Sequence, residues 1–194
     1  MTVIPSLRWR DHPAVPALAG MVVVLTLFGL PAHAAVKGEL KPVKGALVAG
    51  DFIAQDLNGK PARFGELRGN VVLLNFWATW CPPCRKEMPT MERLYLEYKD
   101  RGLAVLAVSQ DQAPLAAVRD FAGELKLSFP VWHDRDGLVG RQYSIPGVPA
   151  SYLIERGGRI AYRVIGEYDW FSAEARAAVE SLLAARASGG EAAK

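Results

Sequence analysis

The sequence predicts an α/β domain built on a mixed β-sheet flanked by helices, and three observations carry that reading. Val71–Phe76 and Leu103–Val108 are short, nearly continuous apolar runs, as expected of strands buried on both faces. Each is followed by a stretch with helical spacing, so strands and helices alternate along the chain. Asn58-Gly59 and Gly157-Gly158 each separate two strand-like segments, and such dipeptides turn a chain tightly back on itself. The resulting order is β-β-β-α-β-α-β-α-β-β-α.

Taken in order, the chain opens with an address. Arg8 and Arg10 precede an apolar stretch from Ala14 to Leu30, which Pro31 ends, and Ala32-His33-Ala34 has the small-x-small form of a peptidase site. Residues 1–34 therefore read as a signal peptide or as an N-terminal membrane anchor, since about 17 apolar residues fall just short of the ~20 a span requires. A cleaved, soluble form is slightly favoured. Either reading delivers the domain outside the cytoplasm, where thiols can oxidise. Residues 35–46, with Lys37, Lys41, Lys44, Gly38, Gly45 and Pro42 and little apolar content, read as a solvated linker. The folded unit is expected over 47–187, and Ser188–Lys194 as a flexible tail.

Within that unit, 51–57 and 60–64 form the first hairpin. The strand at 71–76 leads into Trp80-Cys81-Pro82-Pro83-Cys84 and a helix that runs to Arg101, with Gly102 placed as its C-cap. A strand follows at 103–108. Leu115, Val118, Phe121 and Leu125 then step at helical intervals after Pro114. Phe129–Trp132 is a strand, Leu138–Tyr143 a short helix, and 151–154 with 159–165 a second hairpin. Ser172 caps a last helix whose apolar side carries Val179, Leu182 and Leu183.

Composition narrows the function. The chain has 194 residues, 51% hydrophobic, with 23 Lys+Arg against 20 Asp+Glu. A net charge of +3 with no basic run is no footprint of nucleic-acid binding. Two cysteines exclude a disulfide-dense scaffold and a four-thiolate zinc site.

Those two cysteines sit where chemistry is favoured. At a helix start the first backbone N–H groups lack intrahelical partners and the macrodipole is positive, so a thiolate at Cys81 is stabilised. Pro82 and Pro83 suit first-turn positions, whose N–H is not needed, and stiffen the turn. Cys84, Met88, Met91 and Tyr95 share one helical face, which draws Cys84 inward and leaves Cys81 the accessible thiol. Arg85 and Lys86 add positive potential. Glu87, one turn beyond Cys84, is placed to take the proton from that thiol; alternatively it is a first-turn acid favoured by the dipole alone. An attacking thiolate beside a resolving thiol is a redox pair. A structural disulfide closing so short a loop would stabilise little. A copper-carrying role would enlist Cys81, Cys84 and His133, although His133 reads as a partly exposed loop residue after its strand. No metal ligand is assigned.

The segment Asn75-Phe76-Trp77-Ala78-Thr79-Trp80-Cys81-Pro82-Pro83-Cys84-Arg85-Lys86-Glu87-Met88-Pro89 resembles the active site of exported thioredoxin-like thiol–disulfide oxidoreductases, the TlpA/ResA/CcmG group. The resemblance implies a thioredoxin-like domain over 47–187, with an N-terminal β-hairpin extension and a central βα insertion. It also implies that Val148-Pro149 is a cis-proline loop facing Cys81, that Val148 offers its backbone to an extended substrate, and that Pro89 kinks its helix. Trp80, Pro82, Pro83, Val148 and Pro149 would bind substrate. Asn75 stands where cytoplasmic thioredoxins carry a buried Asp, and Ala150 and Gly50 replace the more usual Thr and Pro.

The activity implied by the resemblance is that of a protein-disulfide reductase, which needs no cofactor because the electrons reside in the cysteine pair. Its expected partners are disulfide-bearing proteins, apocytochrome c or oxidase copper-site proteins, and a membrane thiol donor of the DsbD/CcdA type. A disulfide-forming oxidase usually carries a large helical insertion for which the roughly 20 residues between strands leave no room. A thiol peroxidase would need a different cysteine setting.

Overall fold

The computed structural model describes residues 37–185, so the signal or anchor at 1–34 and the tail at 188–194 lie outside the described residues. Eight strands form one sheet: β1 (Lys41–Pro42), β2 (Ile53–Asp56), β3 (Pro61–Arg63), β4 (Val71–Trp77), β5 (Leu103–Ser109), β6 (Val131–His133), β7 (Ala150–Ile154) and β8 (Ile160–Ile165). The helices are α1 (Pro82–Tyr98), α2 (Leu115–Glu124), α3 (Leu138–Gln142) and α4 (Ala173–Ala184).

The strands lie in the order β1-β8-β7-β4-β5-β6-β2-β3. The apolar runs at β4 and β5 do pair in parallel at the centre, with β6 parallel to β5 and β7 antiparallel to β4. The β2–β3 hairpin extends the sheet beyond β6. Its turn closes with Gly59 at φ 78°, the left-handed conformation that glycine adopts without strain. The expected mixed sheet, its hairpin extension and the α2–β6 insertion are all present.

All seven residues of β4 are buried, because both faces of the sheet are covered. Side chains alternate between the faces. Val71, Leu73 and Trp77 pack under residues of α1, α2 and α4, while Val72, Leu74 and Phe76 pack beneath Phe52, Phe64 and Trp132. By this alternation Asn75 belongs to the α1 side. The sheet register sets it between Ala107 of β5 and Ser151 of β7.

Local signals set the helix ends. Cys81 is the N-cap of α1 and Pro82 and Pro83 open it, while a 3-10 turn over Lys99–Arg101 leads to Gly102 at φ 97°. Ser172 Oγ accepts the Ala175 N–H at 3.2 Å and so caps α4.

Away from the cysteines, the structure departs from expectation in three places. The linker stretch is largely exposed yet not free. Gly38 N–H donates to Glu167 O, Lys41 and Pro42 pair with Arg163 and Tyr162, and Val43 N–H donates to Ala161 O. Leu40 and Val43, which reach the core, accompany this docking. The buried face of α1 runs through Cys84, Glu87, Met88, Met91, Leu94 and Tyr98, so Tyr95 is only half-buried. Tyr98 takes the deeper place, in the core, and its hydroxyl donates to Glu180 Oε1 of α4 at 2.7 Å. His133 lies within β6 and is buried, its Nε2 2.7 Å from Asp111 O.

Leu73, fully buried under α1, is expected to destabilise the domain by about 2–5 kcal/mol when replaced by Ala. The same change at exposed Leu96 should stay within about 0.5 kcal/mol. Urea unfolding of both variants checks the pair.

Candidate active site

β4 ends at Trp77, and the next four residues carry the chain to the mouth of α1. Cys81 and Cys84 are joined there, with an S–S distance of 2.06 Å. Cys81 Sγ accepts the backbone N–H of Cys84 at 3.2 Å, the capping bond that a hydroxyl supplies at other helix starts. This is the expected meeting of sulfur and unpartnered helix N–H groups.

Cys84 is fully buried, as its helical face requires. Cys81 is the more exposed of the two, but at 3% it is far less open than the sequence suggests. The disulfide holds its sulfur over the helix start, and half-buried Val148 packs against the core cluster that contains it.

The other substrate-site candidates lie in the cysteine turn itself and in the loop that leads into β7. The Val148–Pro149 peptide bond is cis. Pro149 is buried, and its carbonyl accepts Gly166 N–H at 2.9 Å. Among the described residues neither the N–H nor the C=O of Val148 has a backbone partner. Trp80 is 67% exposed and Pro82 is also exposed, whereas Pro83 is half-buried. Pro89 lies inside α1, which continues through it as one helix.

Glu87 is buried at 1% exposure, so it is more than a first-turn acid favoured by the dipole. Its Oε1 accepts from Asn75 Nδ2 at 2.7 Å and its Oε2 from Tyr168 N–H at 3.2 Å. Burial penalises the charged form and pushes its pKa up to about 8. The two donors oppose that shift, and the neighbouring Glu167 carboxylate adds to it. Asn75 Nδ2 also donates to Ser151 Oγ at 2.9 Å, while Asn75 Oδ1 has no partner. Near neutral pH this carboxyl is therefore poised to exchange a proton, one helical turn from Cys84.

The cations beside the pair are spent on other partners. Arg85 grips Glu124 through two bonds of 2.8 and 3.1 Å, and Lys86 Nζ lies 2.5 Å from Glu167. His133 is turned onto a backbone carbonyl. Among the described residues no three His, Cys, Asp or Glu side chains are grouped as metal ligands.

Sequence reasoning missed Ser151, the Tyr168 N–H and the Asp111 carboxylate, which accepts from Thr79 beside the pair. Only Ser151 left a signal: it lies in a strand visible in the sequence, and the pairing of that strand with β4 sets it opposite Asn75.

Fold and dithiol together define the class, a thiol–disulfide oxidoreductase of the thioredoxin type. Residues 47–163 match the AhpC/TSA family, and the chain belongs to it, within the ResA group of oxidoreductases. The thiol-disulfide oxidoreductase ResA of a Bacillus cereus strain is 40% identical over 119 residues, covering 61% of this chain and 68% of that one. ResA of Geobacillus kaustophilus is 36% identical over 157 residues, covering 81% and 90% respectively. The crystal structure of a thiol:disulfide interchange protein of the thioredoxin family from Chlorobium tepidum superposes with a TM-score of 0.63. It is 26% identical and covers 73% of this chain and 99% of its own.

Because the folded pKa of Glu87 lies above its unfolded value, the native state holds the extra proton. Its contribution to stability is full below the ordinary value of 4.5 and is lost as pH rises through about 8. Urea midpoints of the oxidised protein should fall between pH 5 and 8, and Glu87→Gln should flatten that slope.

Proposed function

We propose that the protein acts outside the cytoplasm, passing electrons from a membrane thiol donor to the disulfides of partner proteins. The observation that carries this reading is the buried Glu87 carboxyl behind the inner cysteine, whose pKa, raised by burial to about 8, lets it both release and take up a proton near neutral pH. A resolving thiol shut away from water needs a proton acceptor at hand when it attacks, and this acid titrates near the working pH.

In the reducing direction, the Cys81 thiolate attacks one sulfur of a partner's disulfide. A mixed disulfide forms, and the partner's other sulfur leaves as a thiolate. Cys84 then gives its proton to the Glu87 carboxylate and attacks Cys81 Sγ. The mixed disulfide breaks, and the partner's second sulfur leaves. Two electrons have passed to the partner, and the Cys81–Cys84 disulfide is the product state. The cis-proline loop supports the encounter, because the open N–H and C=O of Val148 suit an extended partner strand. Exposed Trp80 offers an apolar edge beside it.

Export rests on residues 1–34, whose charged start, apolar stretch and small-x-small end favour a cleaved signal over a retained anchor. The resemblance of the active-site segment suggests apocytochrome c cysteines as substrates, followed by the thiols of oxidase copper sites. In an oxidising compartment something must restore the dithiol, and a carrier of the DsbD/CcdA type fits that need.

Reduced protein is expected to reduce insulin under dithiothreitol, with a reduction potential well below the roughly −120 mV of a disulfide-forming oxidant. Cys84→Ala, expressed in cells, should trap partners on Cys81. Capture dominated by haem-binding Cys-x-x-Cys proteins supports the reading. A potential near the oxidant's, or capture mainly of unrelated secreted proteins, overturns it.

A further inference from the structure

We propose that Asp111 is a positioning residue of the redox turn: it holds Thr79 so that Cys81 keeps its capping geometry once the disulfide opens. In the oxidised protein the S–S bond itself fixes Cys81 against Cys84. Reduction removes that tether. What remains on the N-terminal side is a short turn, Ala78-Thr79-Trp80, closed by the Cys81 N–H to Ala78 O bond at 3.2 Å.

Ala78 is buried in the core, but beyond it the turn comes out to the surface, where Trp80 is 67% exposed and Pro82 is exposed as well. It is held from beneath. Asp111 Oδ2 accepts the Thr79 N–H at 2.9 Å, and its Oδ1 accepts the Thr79 hydroxyl at 2.6 Å. One carboxylate thus grips both the backbone and the side chain of a single residue, two positions before Cys81.

The grip is itself immobilised. Ser109 Oγ donates to Asp111 Oδ2 at 2.6 Å and accepts the Asp111 N–H at 3.1 Å. The Asp111 carbonyl meets His133 Nε2 of β6 at 2.7 Å. Ser109 faces Trp77 of β4 and His133 of β6 in the sheet register, so the C-terminal ends of three central strands anchor one acid. At 1% exposure its hydrogen bonds are sheltered from competing water. Asp111 has no hydrogen bond to either cysteine; it acts through Thr79, by keeping Cys81 where the Cys84 N–H points at its sulfur.

Such a role needs dithiol chemistry alone and stands whichever direction or partner the protein serves. It is tested on the reduced protein in a Cys84→Ala background, where Cys81 alone reacts. The readouts are the iodoacetamide rate at neutral pH, the pH midpoint of thiolate absorbance, and the melting temperature. Glu87, the other acid close to the pair, is untouched throughout. Asp111→Ala should slow alkylation about tenfold, the effect of weakening one hydrogen bond to a charged group, and move the thiolate midpoint to higher pH. Asp111→Asn, which keeps an acceptor for the Thr79 N–H, should recover most of the rate. Thr79→Val, which deletes only the hydroxyl donor, should act in the same direction and smaller, and it supplies the test if Asp111→Ala fails to fold. Lower melting temperatures with unchanged alkylation rate and midpoint would show a purely structural acid and overturn the proposal.

Discussion

The Cys84 N–H reaches Cys81 Sγ because β4 ends four residues earlier in a place it cannot leave. Each of its seven residues is buried between two helical or hairpin-covered faces, and both neighbouring strands are bonded along its length. The first turn of α1 inherits that fixity. A helix start on a mobile segment would offer the same unpartnered amides, but to solvent as readily as to sulfur. Here the amide is aimed, and the redox pair depends on the aim.

The same burial creates the acid. Cys84 must face the sheet for α1 to pack, and the next residue on that side of the helix is Glu87. A charged carboxylate there would forfeit its hydration, so the site favours the neutral form and leaves two donors, from Asn75 and the Tyr168 backbone, to moderate the penalty. The compensation is incomplete. Asn75 Oδ1 goes without a partner in the middle of the sheet, a position where a well-packed protein normally leaves no polar atom unmet. That local concession is of the kind found where stability yields to chemistry.

Much of this was readable because it is local. Asn58-Gly59, Gly102 and Ser172 fix their turns and caps through their own backbone preferences, and the apolar runs of β4 and β5 need no partner to be recognised. The cysteine pair and Pro149 were legible for the same reason, as a contiguous motif and a dipeptide. What resisted reading is set by tertiary pairing. Tyr95 and Tyr98 both fit an amphipathic face, and only the packing of α1 on the core, where Glu180 of α4 meets the Tyr98 hydroxyl, separates them. His133 reads as a loop residue until β2 pairs with β6 and carries the strand through it. Residues 37–46 look like a tether because their few apolar side chains give no period, yet Leu40 and Val43 reach the core and the backbone pairs with β8. Ser151 and Tyr168 are 76 and 81 residues from the groups they contact, and no spacing rule spans that distance.

The charge pattern around the pair sorts two sources of thiolate stabilisation that the sequence alone leaves mixed. Arg85 and Lys86 flank Cys84 and would each favour an anion if free. Arg85 instead lies bidentate on Glu124, and Lys86 on Glu167, so each cation arrives with its counter-charge. Both pairs are open to water on at least one side, where screening reduces their reach further. The backbone of α1 carries no such counter-charge at its N-terminus, and its nearest amide already points at the sulfur. Side-chain cations can be neutralised by whatever partner docks, whereas a helix terminus keeps its polarity in free and bound states alike. Of the two sources, only the helix start meets the sulfur directly here, through the Cys84 N–H.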